Sequence, residues 1–419
     1  MTDMGWINGA ITGARPAAVG ALLRYFRDLD TAEEAFQEAA LRALKSWPAN
    51  GPPRDPAAWL ILVGRNAALD GLRVRAKHMA LPPDEVLCDL DDAEATLAER
   101  LDGSHYRDDV LRLLFICCHP DLPATQQIAL ALRIVSGLSV AQIARAFLVG
   151  EAAMEQRITR AKARIAKADV PFEAPGAAER AERVAAVASM IYLLFNEGYS
   201  AGGDAARGPL CDEAIRLIRL LLRLFPTEPE IMGLTALMLL QHARLAARFD
   251  AAGEAILLED QDRSLWEGRL LAEGLALIDK AIRPNVPGPY QLQAAIAAIH
   301  SRAVRAEDTD WAGIDGLYAA LERMQPSPLV TLNRAVATAK LHGPEAALSM
   351  ITPLEQRLSG YYYYFGARGA FLAQLGRLAE ARAAFDRAIA LADTPAQAAH
   401  IRRHLDGLMR SAGPTVMAG

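Results

Sequence analysis

An all-α chain of three parts is what this sequence predicts: a small helical module, a second one ending in a helix-turn-helix, and a long array of helical repeats. Three observations predict it. Alanine, leucine, arginine and glutamate dominate while runs of valine, isoleucine and threonine are scarce, a composition that favours helices over strands. Apolar residues recur at the i, i+3, i+4, i+7 spacing of one buried helix face. Near the C-terminus a pattern with a period of about 34 residues emerges. At 419 residues the chain is long enough for two or three domains, each with its own core.

Residues 10 to 80 form the first block. Val19, Leu22, Leu23 and Phe26 fall on one face of a helix. The next stretch, TAEEAFQEAALRALKSW, has Thr31 and Glu34 at capping-box spacing and predicts a helix starting there, with Glu33, Glu34, Gln37 and Glu38 on its exposed side. A third helix is expected from Asp55, with Pro56 in the first turn where its missing N–H does no harm. Along it Asn66, Asp70, Arg73 and Lys77 share a polar stripe, with Arg65 and Arg75 nearby. By itself such a stripe is an ordinary solvated face.

Residues 81 to 107 are acidic, open with Leu81-Pro82-Pro83, and read as a linker. The block from 108 to 168 opens with a helix that runs into LLFICCHP. Adjacent helix positions diverge by about 100°, so Cys117 and Cys118 cannot share one ion within a helix, and zinc sites space their cysteines more widely. His119 and Pro120 read as a helix stop. In GLSVAQIARAFLVGEAAMEQRITRAKARI, Ser139 and Gln142 have capping-box spacing and Val140, Ile143, Ala144 and Phe147 make an apolar face. After a turn at Val149 and Gly150, a second helix buries Met154, Ile158, Ala161 and Ile165. This is a helix-turn-helix pattern. The outer side of its second helix presents Ala152, Gln156, Thr159 and Arg160, flanked by Glu155, Lys162, Arg157 and Arg164, side chains that read base edges or neutralise phosphate.

A break around 170 to 177 opens the third block, 176 to 410. Phe365, Gly369, Gly376, Ala381, Phe385 and Ala388 occupy the aromatic, glycine and alanine positions of a tetratricopeptide (TPR) repeat. Ala214, Ile218, Leu221 and Pro226 echo Ile314, Tyr318, Leu321 and Pro326, so the array is degenerate. Between 247 and 265 lies a longer connection with Glu259, Asp260 and Asp262, read as an exposed loop or a contact between domains.

The balance of charge, −5, does not advertise a nucleic-acid binder, so such a role must rest on local patches. Four cysteines make no disulfide framework, and no leader or membrane-length apolar run is evident, which predicts a soluble, cytoplasmic protein.

The stretches DLDTAEEAFQEAALRALKSWP, DPAAWLILVGRNAALDGLRVRAK and GLSVAQIARAFLVGEAAMEQRITRAKARI, in that order around an acidic linker, resemble the bacterial extracytoplasmic-function sigma factors. The remainder resembles the TPR-like extension carried by one subgroup of that family. The resemblance implies a transcription factor with no enzymatic activity, no cofactor and no metal. Its second helix would dock on the clamp coiled coil of core RNA polymerase through Asp30, Glu33, Glu34, Phe36, Gln37 and Glu38. The third helix and the loop before it would read the promoter's minus-ten element as single strand through Trp59, Arg65, Asn66, Asp70, Arg73 and Arg75. The helix from Glu151 would read the minus-thirty-five duplex through Ala152, Glu155, Gln156, Arg157, Thr159, Arg160, Lys162 and Arg164, although relatives often carry Lys and Ser where this chain has Glu155 and Gln156. The TPR-like array would modulate activity through a peptide, a small molecule or the chain's own first half.

The alternative is a helix-turn-helix regulator with a TPR-like sensor domain that does not act as a sigma factor. It has no need for the Asn66–Lys77 stripe beside an acidic helix. An enzyme using Cys117 or Cys118 with His119 or His105 lacks a third orienting group.

Overall fold

The computed structural model describes residues 5–51, 53–76, 103–147, 149–167, 177–199, 208–250 and 255–392, with 398, 401, 402 and 405. All named elements are helical; the only β pairing among these residues is an isolated bridge between Phe249 and Ala255. No described helix is long and apolar enough to cross a membrane. The chain divides into two compact units, 1–194 and 195–419.

The first unit opens with α1 (Gly5–Phe26), α2 (Leu29–Asn50) and α3 (Pro56–Ala76), each packed on the other two. Val19, Leu22 and Leu23 are buried as expected. The start of α2 differs from the sequence expectation: the cap is Asp28, whose carboxylate accepts from the Thr31 N–H, so Thr31 lies inside the first turn. A carboxylate is the stronger acceptor for those orphan N–H groups. At α3, Asp55 accepts from the N–H groups of Ala57 and Ala58, and Pro56 begins the helix. Trp47 is fully buried, stacked at 6.3 Å on Trp6 and edge-on at 5.3 Å to Trp59.

The helix α4 (Gly103–Cys117) begins inside the stretch read as linker and packs against α1. Buried Asp109 pairs there with Arg24 at 3.3 Å and Arg112 at 3.0 Å. It is followed by α5 (Ala124–Ile134), α6 (Val140–Ala146) and α7 (Glu151–Lys167). Cys117 ends α4, and both Cys117 and Cys118 are buried among apolar side chains. Burial pushes the Cys118 thiol up to about 12 and raises that of Cys117 well above the ordinary thiol value, so neither is a nucleophile near neutral pH. The side chain of His105 and residue Cys88 lie outside the described residues. The capping box at α6 is complete in both directions, Gln142 N–H to Ser139 Oγ and Ser139 N–H to Gln142 Oε1.

A long helix, α8 (Ala177–Tyr199), contributes residues to both units. The second unit continues with α9 (Gly208–Leu224), α10 (Pro229–His242), α11 (Gly268–Ala281), α12 (Pro289–Arg302), α13 (Trp311–Met324), α14 (Pro328–His342), α15 (Pro344–Ile351), α16 (Tyr362–Gln374) and α17 (Leu378–Ala390). Four of these helices start with proline, where a pre-set φ and a dispensable N–H suit the first turn. From α10 onward each helix packs on its neighbours in sequence, and α12 packs most heavily on α10 two helices back, the pattern of a helical repeat array. Apolar almost all round, α10 is enclosed by α9, α11 and α12. The TPR-like positions do what their sizes predict: Ala381 and Ala388 are fully buried, and a Cβ at Gly369 would lie 2.6 Å from the ring of Phe385 across the α16–α17 hairpin.

Two backbone approaches in the first unit are equally tight: a Cβ at Gly20 would stand 2.7 Å from the backbone oxygen of Asp109, bringing α1 against α4, and one at Gly64 would stand 2.7 Å from that of Ala35. An ordinary helix-interior glycine gains up to about 1 kcal/mol on replacement by alanine. Gly20→Ala is expected to do the opposite, lowering stability by about 1–3 kcal/mol through overpacking, read as an earlier midpoint in urea unfolding.

Candidate polymerase and promoter interface

Five of the six α2 residues proposed for polymerase are polar, and they do not share one environment. The helix buries Ala32, Ala35, Phe36, Ala39 and Ala43, so Phe36 belongs to the core. Glu34, Gln37 and Glu38 are exposed, as expected. Glu33, expected on the exposed side, is instead only 4% exposed. The reason is geometric and distant in sequence. Glu33 sits at the border of the apolar stripe, about 100° from Ala32. The region-spanning partners α5 and α7 cover that border.

What covers Glu33 is a set of cations. Arg133, at the end of α5, reaches its Oε1 at 2.8 Å, and Lys162 of α7 reaches Oε2 at 2.8 Å. Arg15 of α1 lies 3.7 Å from the same carboxylate, and Gln37 donates to it at 3.3 Å. Lys162 also holds Asp30 at 2.6 Å. Arg15 sends its Nε to the Ile134 carbonyl at 2.9 Å and a terminal nitrogen to the Arg133 carbonyl, thereby capping α5, while its guanidinium lies 4.7 Å over the Phe36 ring. Two stretches that the sequence kept apart, the acidic face of α2 and the edge of α7, therefore meet at Asp30, Glu33 and Lys162. Burial pulls the Lys162 ammonium down, but the hydrogen bonds to Asp30 and Glu33 outweigh it and leave its pKa above the free value of 10.5. A base whose pKa rises on folding stabilises the contact fully below that value and ceases to as pH climbs through the raised one. Beside this contact Phe36, Gln37, Leu41, Leu44 and Ile11 line an open groove of about 340 Å³.

The buried side of α7 is Met154, Ile158, Ala161 and Ile165, as the periodicity predicts. Ala152, Glu155, Gln156, Thr159 and Arg160 are exposed and Arg157 is half-buried. Arg164 is exposed and donates to the Asp121 carbonyl at 3.0 Å. On α3, Trp59 and Asn66 are half-buried and Asp70 is exposed, while Arg65 lays its guanidinium 4.8 Å over the Tyr25 ring. The side chains of Arg73 and Arg75, and residue Lys77, lie outside the described residues.

Arg15 and Arg133 were not singled out from the sequence. Arg15 did leave a trace, since it stands four residues before Val19 and so interrupts an apolar stripe with a charge. Arg133 left none.

Residues 11–78 match the family model for sigma-70 region 2, and 112–165 match that for sigma-70 region 4. The chain belongs to the sigma-70 family. It is a sigma factor of the extracytoplasmic-function type with a C-terminal helical extension, and residues 183–282 of this sigma factor match a family of unknown function, DUF6596. It is 69% identical to the uncharacterized protein R00370 of Rhizobium meliloti (strain 1021), over 100% of this chain and 99% of that protein. The crystal structure of yeast Tom70 aligns with 98% of the sigma factor and 86% of its own chain at 13% identity and a TM-score of 0.35, a likeness too slight to speak for fold or function.

The contact between α7 and α2 is testable by a double-mutant cycle on urea unfolding. Lys162→Ala paired with Glu33→Ala is expected to show a coupling of about 1–3 kcal/mol, because the carboxylate is buried. The cycle of Lys162→Ala with Asp30→Ala is expected to stay below about 1 kcal/mol, because that carboxylate is mostly exposed.

Proposed function

We propose that this sigma factor binds core RNA polymerase through the clamp coiled coil and directs initiation at a specific class of promoters, with its C-terminal domain modulating the outcome. Its working parts are 10–80 for polymerase and the minus-ten element, the linker 81–107, 108–168 for the minus-thirty-five element, and the extension 176–410. The observation that carries this reading is the division of α7 within a region-4 module. One side of the helix is core, and the opposite side leaves Ala152, Glu155, Gln156, Thr159 and Arg160 exposed. Such a face suits a major groove, with Gln156 and Glu155 offered to base edges and Arg160 to phosphate. On the polymerase side Glu34, Gln37 and Glu38 form an accessible acidic face beside the exposed Asp30, and Glu33 would join it once Lys162, Arg133 and Arg15 let go. Lys162 is thus wanted by DNA phosphate in one state and by two carboxylates in the other. A protein with these partners works in the cytoplasm.

The reading is tested by co-purification with core RNA polymerase. Reversal of charge at Glu34 and Glu38 is expected to lower recovery of the complex at least tenfold and to make the residual affinity less sensitive to salt. Undiminished co-purification would remove the acidic face from the interface.

For the extension, the expected role is a required one. In vitro transcription with residues 1–175, verified by circular dichroism to be folded, is expected to fall well below that of the full chain. Full activity with unaltered promoter choice would make the extension an independent module.

A further inference from the structure

Within the second unit, the segment 255–267 closes over a cavity of about 300 Å³ whose other walls are the end of α12 and one face each of α13 and α14. The volume is at the small end of the range for ligand sites. Trp311, Tyr318 and Val336 supply aromatic and apolar wall, and the polar lining includes Arg263, His300 and Lys340.

The charges here are unevenly matched. Arg263 spends one terminal nitrogen, Nη1, on the carbonyls of His300 at 2.8 Å and Ala303 at 2.6 Å, which caps α12. Its Nε and Nη2 have no acceptor among the described residues, and that edge is the fork that holds a carboxylate by two parallel bonds. Arg244, like Arg263, lies against the ring of Trp266 and donates to the Tyr199 hydroxyl at 3.2 Å, while Asp308 is the carboxylate whose charge Arg263 feels. Burial, Arg244 and Arg263 together hold the His300 pKa down to about 4, so its imidazole is neutral at pH 7; it stands edge-on to Trp311 at 5.4 Å. A neutral imidazole offers one donor and one acceptor. At the rim Lys340 pairs with Glu259 at 2.7 Å, and both are about half exposed. An exposed pair of this kind contributes little, so an incoming anion can take the ammonium from Glu259.

We propose that this cavity binds a small aromatic carboxylate, its ring against Trp311 and Tyr318 and its carboxylate on the free edge of Arg263 with Lys340 at the rim. The aromatic walls select a planar body, and Arg263 with Lys340 selects negative charge over a neutral isostere. The site stands whether or not the chain engages polymerase, because binding is read on the purified full-length protein alone.

The test is calorimetric titration with benzoate and indole-3-acetate against benzamide and indole-3-acetamide. At least one acid is expected to bind saturably with its amide at least tenfold weaker. Lys340→Met is expected to weaken the acid at least threefold, and Val336→Trp, at a position 40% exposed and therefore free of core strain, to fill the cavity and abolish binding. Thermal melts of both variants should match the native protein, and Lys340→Arg should restore affinity. No saturable binding of either acid, equal binding of acid and amide, or unchanged affinity in both variants would overturn the proposal.

Discussion

A carboxylate taken out of water and answered by three cations is the interaction on which the first unit depends. Moving an ion of this size from water into protein costs several kcal/mol, and only close, well-directed partners repay it. Glu33 has Arg133 and Lys162 at 2.8 Å and Arg15 behind them. Losing one partner alone leaves the others with a charge still buried, which is the expensive outcome. Losing all of them together, by parting the helices, returns each ion to water, where it is well solvated. The contact is therefore firm against partial damage yet cheap to open as a whole. An apolar seam of equal size would favour closure more strongly and release it less readily.

This explains why α7 has three distinct sides. The apolar side builds its module, the open side carries the groups suited to bases, and the edge with Lys162 is held by α2. The edge is polar, so parting it from α2 would expose no apolar patch. Asp109 plays a related part nearer the core, where its buried carboxylate joins α4 to α1 through Arg24 and is held by Arg112 of its own helix.

Much of the fold was legible because its signals are local. Ser139 with Gln142, and Met154 with Ile158, Ala161 and Ile165, declare a helix-turn-helix within a few turns of chain, and Gly369 with Phe385 marks a hairpin whose helices must touch. Less legible were features decided by residues far away. Glu33 looks like any surface glutamate until Arg133 and Lys162 arrive from more than 90 positions downstream. The acidic composition before Gly103 hid the first turns of α4, and the Thr31–Glu34 spacing masked the better acceptor at Asp28. Glu259, read as a loop acid, is paired to Lys340 on a helix eighty residues on. For Glu33 and Glu259 the partner was out of view, whereas at Gly103 and Asp28 a competing local signal misled.

The turn after α5 carries a consequence for how such a chain can vary. Gly137 has φ of 74°, a left-handed conformation that glycine adopts without strain, and a Cβ there would come within 2.9 Å of the Arg15 side chain. One position thus serves the local bend that leads into the helix-turn-helix and the seat of the arginine that reaches across from α1. Any side chain at 137 disturbs both together, so the path of the backbone and the tightness of closure are inherited as a single trait there. Lys162 offers the opposite freedom. Its ammonium makes only polar attachments to α2, which lets evolution adjust how readily the helices part without redrawing the turn.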